Sequence, residues 1–248
     1  MSELAPLPSS TLPSGVRSRF VEDVNGLRMH ILEAGFEVVG RPLVLLLHGF
    51  PELAYSWRKV MRPLAASGLH VVAPDQRGYG RTTGWDGSYD GDLAPFRTLN
   101  LVRDAMALTS ALGHRSVRGV FGHDAGSTVA AWCSLIRPDL FRSVAMMSAP
   151  FGGPRALPFN TDRRSGARPP GGNIHDDLAA LPRPRKHYQW YYSSREANDA
   201  ALRAAHRTRG SHSAGALPHP RRHPPRSHAR HSRIVRAREA RGSPPRPR

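Results

Sequence analysis

Apolar residues come along this chain in short runs, and two periods alternate. Pro42 to Leu47, Leu69 to Ala73, Val117 to Phe121 and Ser143 to Met147 are brief and rich in aliphatic residues. Runs of this length suit strands buried on both faces of a parallel sheet. Between them lie stretches of helical period. Leu53 to Ala66 sets Trp57, Val60 and Leu64 at helical spacing. Leu101, Ala105, Leu108 and Leu112 share one face of a second stretch, with Thr98 at its capping position. Ser127 to Ile136 predicts a third helix. Phe20 to Glu33 reads as two strands around Asn25-Gly26, a strong hairpin pair. Strand and helix in alternation predict an α/β chain with a doubly wound, mostly parallel sheet.

After Pro150 the pattern changes. Residues 151–173 are rich in Gly, Pro and Arg, with Phe151, Leu157 and Phe159 as isolated anchors. Ile174 to Leu181 and His187 to Asn198 read as helices, the second holding the cluster Tyr188-Gln189-Trp190-Tyr191-Tyr192. Residues 201–248 contain no aromatic residue. Their only large aliphatics are Leu202, Leu217, Ile234 and Val235, among seven prolines and six histidines. Such a segment cannot bury enough apolar area to offset the entropy of ordering it, so a disordered tail is expected. The chain thus divides into a flexible N-terminal arm at 1–17, a core at 18–150, a helical segment at 151–200 and the tail at 201–248.

Charge changes this picture in one place. The net charge of +17 invites a nucleic-acid reading. Yet residues 201–248 hold 13 Arg and a single Glu, while residues 1–200 hold 23 Lys plus Arg against 18 Asp plus Glu. The body is only mildly basic. The tail would bind polyanions without selectivity, and no specific nucleic-acid partner is expected. Its residue choice, Arg, Pro, Ala, His, Gly and Ser, is that of a GC-rich coding region read out of frame from about residue 198. The lone Cys133 excludes an intrachain disulfide framework. No apolar run is long enough to span a membrane and no secretory leader is visible, so a cytoplasmic protein is expected.

The candidate chemistry centres on Gly122-His123-Asp124-Ala125-Gly126, between an apolar run and a helical stretch. A nucleophile flanked by small residues on a strand-to-helix turn is raised above the sheet, and the small residues let the turn close. The apex is Asp. A carboxylate nucleophile attacks alkyl carbon and leaves an ester on the enzyme, which narrows the chemistry to opening an epoxide or displacing a halide. The competing reading of the pentapeptide is an ordinary loop.

Three further motifs join it: His48-Gly49-Phe50-Pro51-Glu52, Asp75-Gln76-Arg77-Gly78-Tyr79-Gly80, and Tyr188-Gln189. With these, residues 18 to 200 resemble the epoxide hydrolases of the α/β-hydrolase superfamily, especially bacterial proteins of the soluble type. The resemblance implies an α/β-hydrolase fold with a helical cap, C-terminally incomplete. It implies that Asp124 attacks an epoxide carbon, that the N–H groups of Phe50 and Ala125 form the oxyanion hole, and that Pro51 is cis. Tyr188 would donate to the opening epoxide oxygen, with a second cap tyrosine beside it. Pro51, Trp57 and Trp190 would line the substrate pocket, while Trp190, Tyr191 and Tyr192 also read as cap core. Substrate and water are the only partners implied, with no cofactor and no metal. The Asp75 turn shapes the pocket floor, His48 is a loop residue rather than a base, His123 packs beside the turn, and Cys133 is buried and inert.

Two alternatives stay open: a haloalkane dehalogenase-like hydrolase, and a non-enzymatic polyanion binder acting through the tail. The dehalogenases usually carry Asn in place of Phe50 and Trp in place of Ala125, and this chain has neither halide ligand. The family's hydrolytic histidine and second acid follow the cap, on loops after the last strands. His206, His212, His219, His223, His228 and His231 lie in the tail with no strand before them, and none is assigned. An incomplete core of this kind is expected to aggregate and to be impaired in turnover.

Overall fold

Six strands form one sheet in the order β1-β2-β4-β3-β5-β6. They are β1 (Val16–Val24), β2 (Leu27–Ala34), β3 (Leu43–Leu47), β4 (His70–Pro74), β5 (Val117–His123) and β6 (Val144–Met147). The hairpin β1–β2 is antiparallel, and β2 pairs antiparallel with β4. The β3–β4, β3–β5 and β5–β6 pairs are parallel. The computed structural model of the chain describes residues 4–149, 151–153, 174–185, 188–192, 194–200 and 203.

The order reverses at β3. From it the chain steps outward to β4 on one side, then returns to lay β5 and β6 on the other. In a doubly wound sheet this reversal opens a crevice beyond the carboxyl ends of the strands, where ligands bind. The loops after β3 and β5 border that crevice.

The alternation along β3 sorts the core into two layers. Leu43, Leu45 and Leu47 face Val102, Leu108, Val129 and Cys133 of α2 (Thr98–Ala111) and α3 (Ala125–Ile136). Val44 and Leu46 face Met61 of α1 (Arg58–Ala66) and partly buried Trp57. All five β3 residues are buried, as both-face burial requires.

Several local expectations are corrected. The first hairpin strand begins at Val16, earlier than Phe20. Its turn has both Asn25 and Gly26 at positive φ, 51° and 78°, which matches the right-handed twist of the paired strands. The helix expected from Leu53 splits into a 3₁₀ turn, Ala54–Trp57, and then α1. Val60 points to solvent, and Met61 is the fully buried residue of α1. A buried methionine contributes roughly 1.5–3 kcal/mol, so the one-residue offset rotates the stabilising face. Thr98 is the first residue of α2 and makes no capping bond; Arg97 holds the cap position.

Of the segment read as a loose arm, residues 4–12 are held against the core. The Leu7 N–H donates to Ser18 Oγ at 2.8 Å. Arg28 and Arg81 donate to the carbonyls of Leu4 and Ala5 at 3.3 and 3.2 Å. Leu7 and Leu12 pack on the α1 side of the sheet.

The chain divides into two compact units, Met1–Gly172 and Asn173–Arg248. The first holds the sheet, and in it Phe151 meets Trp132 of α3 edge-on at 5.7 Å. In the second, α4 (Ile174–Ala179), α5 (Tyr188–Tyr192) and residues 195–200 are helical; the first is shorter than the expected Ile174 to Leu181, and a bend at Ser194 interrupts the helix expected from His187 to Asn198. Leu157, Phe159 and all but Arg203 of the segment 201–248 lie outside the described residues.

Candidate active site

Asp124 stands between β5 and α3 with φ 51° and ψ −120°. A non-glycine residue in that region carries strain of order 1–3 kcal/mol and persists only where its surroundings impose it. Here the surroundings are backbone. A Cβ added at Gly122 would strike the Gly126 carbonyl, and one at Gly126 would strike the Leu47 carbonyl. The two small residues of the motif are therefore steric requirements of the turn.

Hydrogen bonds complete the turn. The Asp124 N–H donates to the Met147 carbonyl at 3.0 Å, and the Ser127 N–H to the Asp124 carbonyl at 3.0 Å. Ser127 is fully buried. Its Oγ accepts the Met147 N–H at 3.1 Å and lies 2.8 Å from the Gly122 carbonyl. One serine thus joins β5, α3 and β6. The sequence reading missed it, because a small polar residue at the start of a helix has many uses.

The carboxylate meets the loop after β3. The Phe50 N–H donates to Asp124 Oδ1 at 3.0 Å. A second backbone N–H, that of Ala125, also donates to Asp124. Phe50, then Ala125, hold the carboxyl below its ordinary range against weak desolvation, with His123 a smaller contributor. Phe50-Pro51 is cis. A Cβ at Gly49 would collide with Asp124, so the loop can come this close only with glycine there.

His48 is buried, and both its ring nitrogens are committed. The Gln76 N–H donates to Nε2 at 3.0 Å, so Nδ1 carries the proton and donates to the Gly49 carbonyl at 2.9 Å. Burial also pushes its pKa down. It is a neutral loop anchor, in keeping with the sequence reading. The Tyr79 ring sits edge-on to it at 4.9 Å, and burial together with the Asp124 charge raises the Tyr79 pKa. Sequence reasoning gave Tyr79 no place beside Asp124.

A cavity of about 240 Å³ lies beside the turn, lined by His48, Glu52, Ser56, Trp57, His123 and Met147. Trp57 is thus placed near the turn as one wall of this cavity, while Pro51 is exposed on the adjoining loop. Tyr188 lies in α5 and is 53 % exposed. Trp190 is in the same helix, and its side chain lies outside the described residues. Cys133 is buried, which pushes its thiol up to about 12 and leaves it inert. Among the described residues no group of His, Cys, Asp or Glu is placed to hold a metal ion. No helix among them is long and apolar enough to cross a membrane.

A second constellation has triad contacts. Ser18 Oγ lies 2.7 Å from His30 Nε2, and His30 Nδ1 lies 2.8 Å from Asp75 Oδ2. Its groups are already occupied. Ser18 Oγ also accepts the Leu7 N–H, and Asp75 accepts the N–H groups of Ala54 and Arg81 at 2.9 and 3.0 Å. This is a structural hub on the side of the sheet away from β5.

The chain is similar to known proteins. A family profile described as alpha/beta hydrolase fold matches residues 42–203. An epoxide hydrolase of Caballeronia sordidicola is 37 % identical over 143 residues, covering 58 % of this chain and 40 % of that protein. Epoxide hydrolase A of Mycobacterium tuberculosis is 39 % identical over 136 residues, covering 55 % and 40 %. The solved structure of an epoxide hydrolase from an endophytic Streptomyces aligns with TM-score 0.57 at 34 % identity, over 77 % of this chain and 50 % of that one. The chain matches about 40 % of the length of these two curated relatives. The six-stranded doubly wound sheet, the turn at Asp124 and the family match over residues 42–203 agree: this chain belongs to the alpha/beta hydrolase fold family.

Proposed function

We propose that the site performs the alkylation half of epoxide hydrolysis, with Asp124 as nucleophile. The observation that supports this most directly is the pair of backbone N–H groups, Phe50 and Ala125, converging on a carboxylate raised at the carboxyl end of β5. They favour the ionised carboxylate, and the attacking oxygen is the one not held by the Phe50 N–H. That oxygen would bond to an epoxide carbon from the side opposite the breaking C–O bond. The released alkoxide would take a proton from a hydroxyl donor. Tyr188 is assigned that role on the resemblance alone, as are Trp57 and Trp190 as pocket residues. Water then attacks the ester carbonyl, and the two amides stabilise the charge on its oxygen.

The second half-reaction needs a base, and the proposal is that the chain lacks a positioned one: three of the described histidines are already engaged. His48 has both nitrogens committed. His30 joins Ser18 to Asp75, and His70 joins Glu33 to His114. The ester should persist, because unassisted water attacks it slowly. The proposed organisation is a hydrolase core at 18–150, a partial cap at 151–200 and a basic tail at 201–248.

The test is intact-mass spectrometry after incubation with a reactive aryl epoxide. One stoichiometric adduct is expected, absent in Asp124→Asn. Absence of an adduct in the parent chain, folded by circular dichroism, overturns the proposal. Rapid multiple-turnover diol formation overturns the assignment of a missing base, and His123 would be the first histidine to substitute.

A further inference from the structure

The loop that carries the Phe50 N–H is gripped at both ends by two consecutive residues of the turn after β4. At its start, Gln76 makes a reciprocal pair with His48: the Gln76 N–H donates to His48 Nε2 at 3.0 Å, and Gln76 Nε2 donates to the His48 carbonyl at 2.6 Å. At its end, Asp75 Oδ1 accepts the Ala54 N–H at 2.9 Å. Between these fixed points the Gly49 carbonyl accepts from the Glu52 N–H at 3.0 Å and from His48 Nδ1 at 2.9 Å. Gly49 then passes close over Asp124.

Phe50 itself is 40 % exposed. The aim of its amide at Asp124 depends on how the backbone on either side is held. The carbonyl gripped by Gln76 belongs to His48, two residues before that amide.

The geometry points to Gln76 as a positioning residue for the reaction proposed above: its side-chain amide fixes the His48 carbonyl and thereby aims the Phe50 N–H at Asp124. Gln76 touches no reacting atom. Its effect passes through two peptide units, which a displacement of a few tenths of an ångström would misalign. Catalytic geometry is sensitive on that scale. The Phe50 bond is the largest cause holding the Asp124 carboxyl low, so loosening the loop should let that carboxyl rise toward its ordinary value. The other titratable groups around Asp124 are His123 from β5, Tyr79 from the turn after β4, and His48 and Glu52 from the loop itself. Gln76→Leu changes none of them chemically.

The inference rests on the proposed role of Asp124, but its test needs no substrate. In the full chain labelled with carbon-13 at the aspartate carboxyls, the Asp124 resonance is assigned by its loss in Asp124→Asn and titrated. Gln76→Leu should move the Asp124 titration to higher pH, and in the alkylation assay slow adduct formation on the order of tenfold. An unmoved titration in a folded variant overturns the inference, whether or not any epoxide reacts. Gln76→Glu supplies a second arm. A protonated carboxyl there can still donate to the His48 carbonyl, and an ionised one cannot. The Phe50 amide proton should therefore show a second step as the introduced carboxyl ionises, beside the low-pH step that Asp124 itself gives in both parent and variant. A packing role alone gives no second step at Phe50, and that result would overturn the inference if Gln76→Leu does not fold.

Discussion

The Phe50 N–H and Asp124 Oδ1 meet at 3.0 Å across 74 residues of sequence. The contact joins the loop after β3 to the turn after β5, two parallel neighbours in the sheet. Because β3 and β5 pair in parallel, their carboxyl ends lie side by side. The amide and the carboxylate are brought together by sheet register before any side chain takes part.

This contact sets an expectation for pH. The Phe50 N–H, then that of Ala125, depress the Asp124 pKa. A depressed carboxyl stays ionised to lower pH, so the nucleophile persists there. After subtraction of the rate in Asp124→Asn, adduct formation should stay level from neutral pH through the ordinary carboxylate range, falling only below it. A fall centred at or above the ordinary aspartate value would show that the amides do not hold the charged form in solution.

The turn also predicts a stability effect. Gly122→Ala and Gly126→Ala each force a methyl onto backbone carbonyl oxygen, which cannot move aside as a flexible side chain could. Each should cost about 3 kcal/mol, measured by urea denaturation against the parent. Gly113→Ala is a contrast, because nothing stands within 4 Å of a Cβ there and only its positive φ of 76° opposes the change. If all three variants lose the same small amount, the close approach at the turn is not what stabilises it.

Much of this was legible in the sequence, and the parts that were not share a physical cause. Continuous aliphatic runs such as Leu43–Leu47 can hardly be read otherwise than as both-face strands, and the glycines around Asp124 have few alternative uses. Val60 and Met61 were confused because both are apolar, and only packing on the sheet decides which faces inward. Tyr79, Gln76, the Ser18–His30–Asp75 hub and the Ser127–Met147 bonds act through contacts between residues 12 to 45 positions apart. No local period records such contacts. The arm at residues 4–12 looked loose because its hold comes from donors elsewhere, Arg28 and Arg81 among them.

A network missed in the sequence predicts the acid limit of the fold. Glu33 on β2 is buried, with Arg17 Nε at 2.6 Å, Arg19 also in contact, and His70 Nε2 at 3.1 Å. Burial alone would raise its pKa, but the bonds from His70, Arg19 and Arg17 prevail and bring it to about 2 from 4.5. The folded value lies below the unfolded one. The stabilisation is therefore complete above pH 4.5 and is lost as pH falls toward about 2. Because Arg17 and Arg19 are 48 % and 36 % exposed, solvent screens part of the gain, leaving about 2 kcal/mol. Glu33→Gln should lower stability at pH 7 by roughly that amount and flatten its pH dependence between 4.5 and 2. An unchanged slope across that window would mean that other carboxyls govern acid unfolding.

The far side of the sheet predicts how the chain behaves when purified. Among the described residues β6 pairs with β5 alone. Val144 pairs with Val120, and Met146 with Gly122, so the two share the sheet face that α3 covers. That cover leaves the start of β6 partly open. Val144 is 40 % exposed and Met146 45 %, and Leu135 and Ile136 at the end of α3 are 58 % and 41 % exposed. An apolar strand with an open hydrogen-bonding edge is a template for pairing with another chain. The chain should self-associate at micromolar concentration, as seen by light scattering and sedimentation. Val144→Lys with Met146→Lys should raise the concentration at which association begins by roughly tenfold, since charge on an edge strand blocks pairing. Both positions are exposed, so the substitutions should leave the fold intact by circular dichroism. Arg118→Glu on β5 is the control: it is also exposed, but lies on a strand already paired on both sides, and it should not relieve association. A parent chain that stays monomeric and unfolds cooperatively at high temperature would show that the β6 edge is covered in solution.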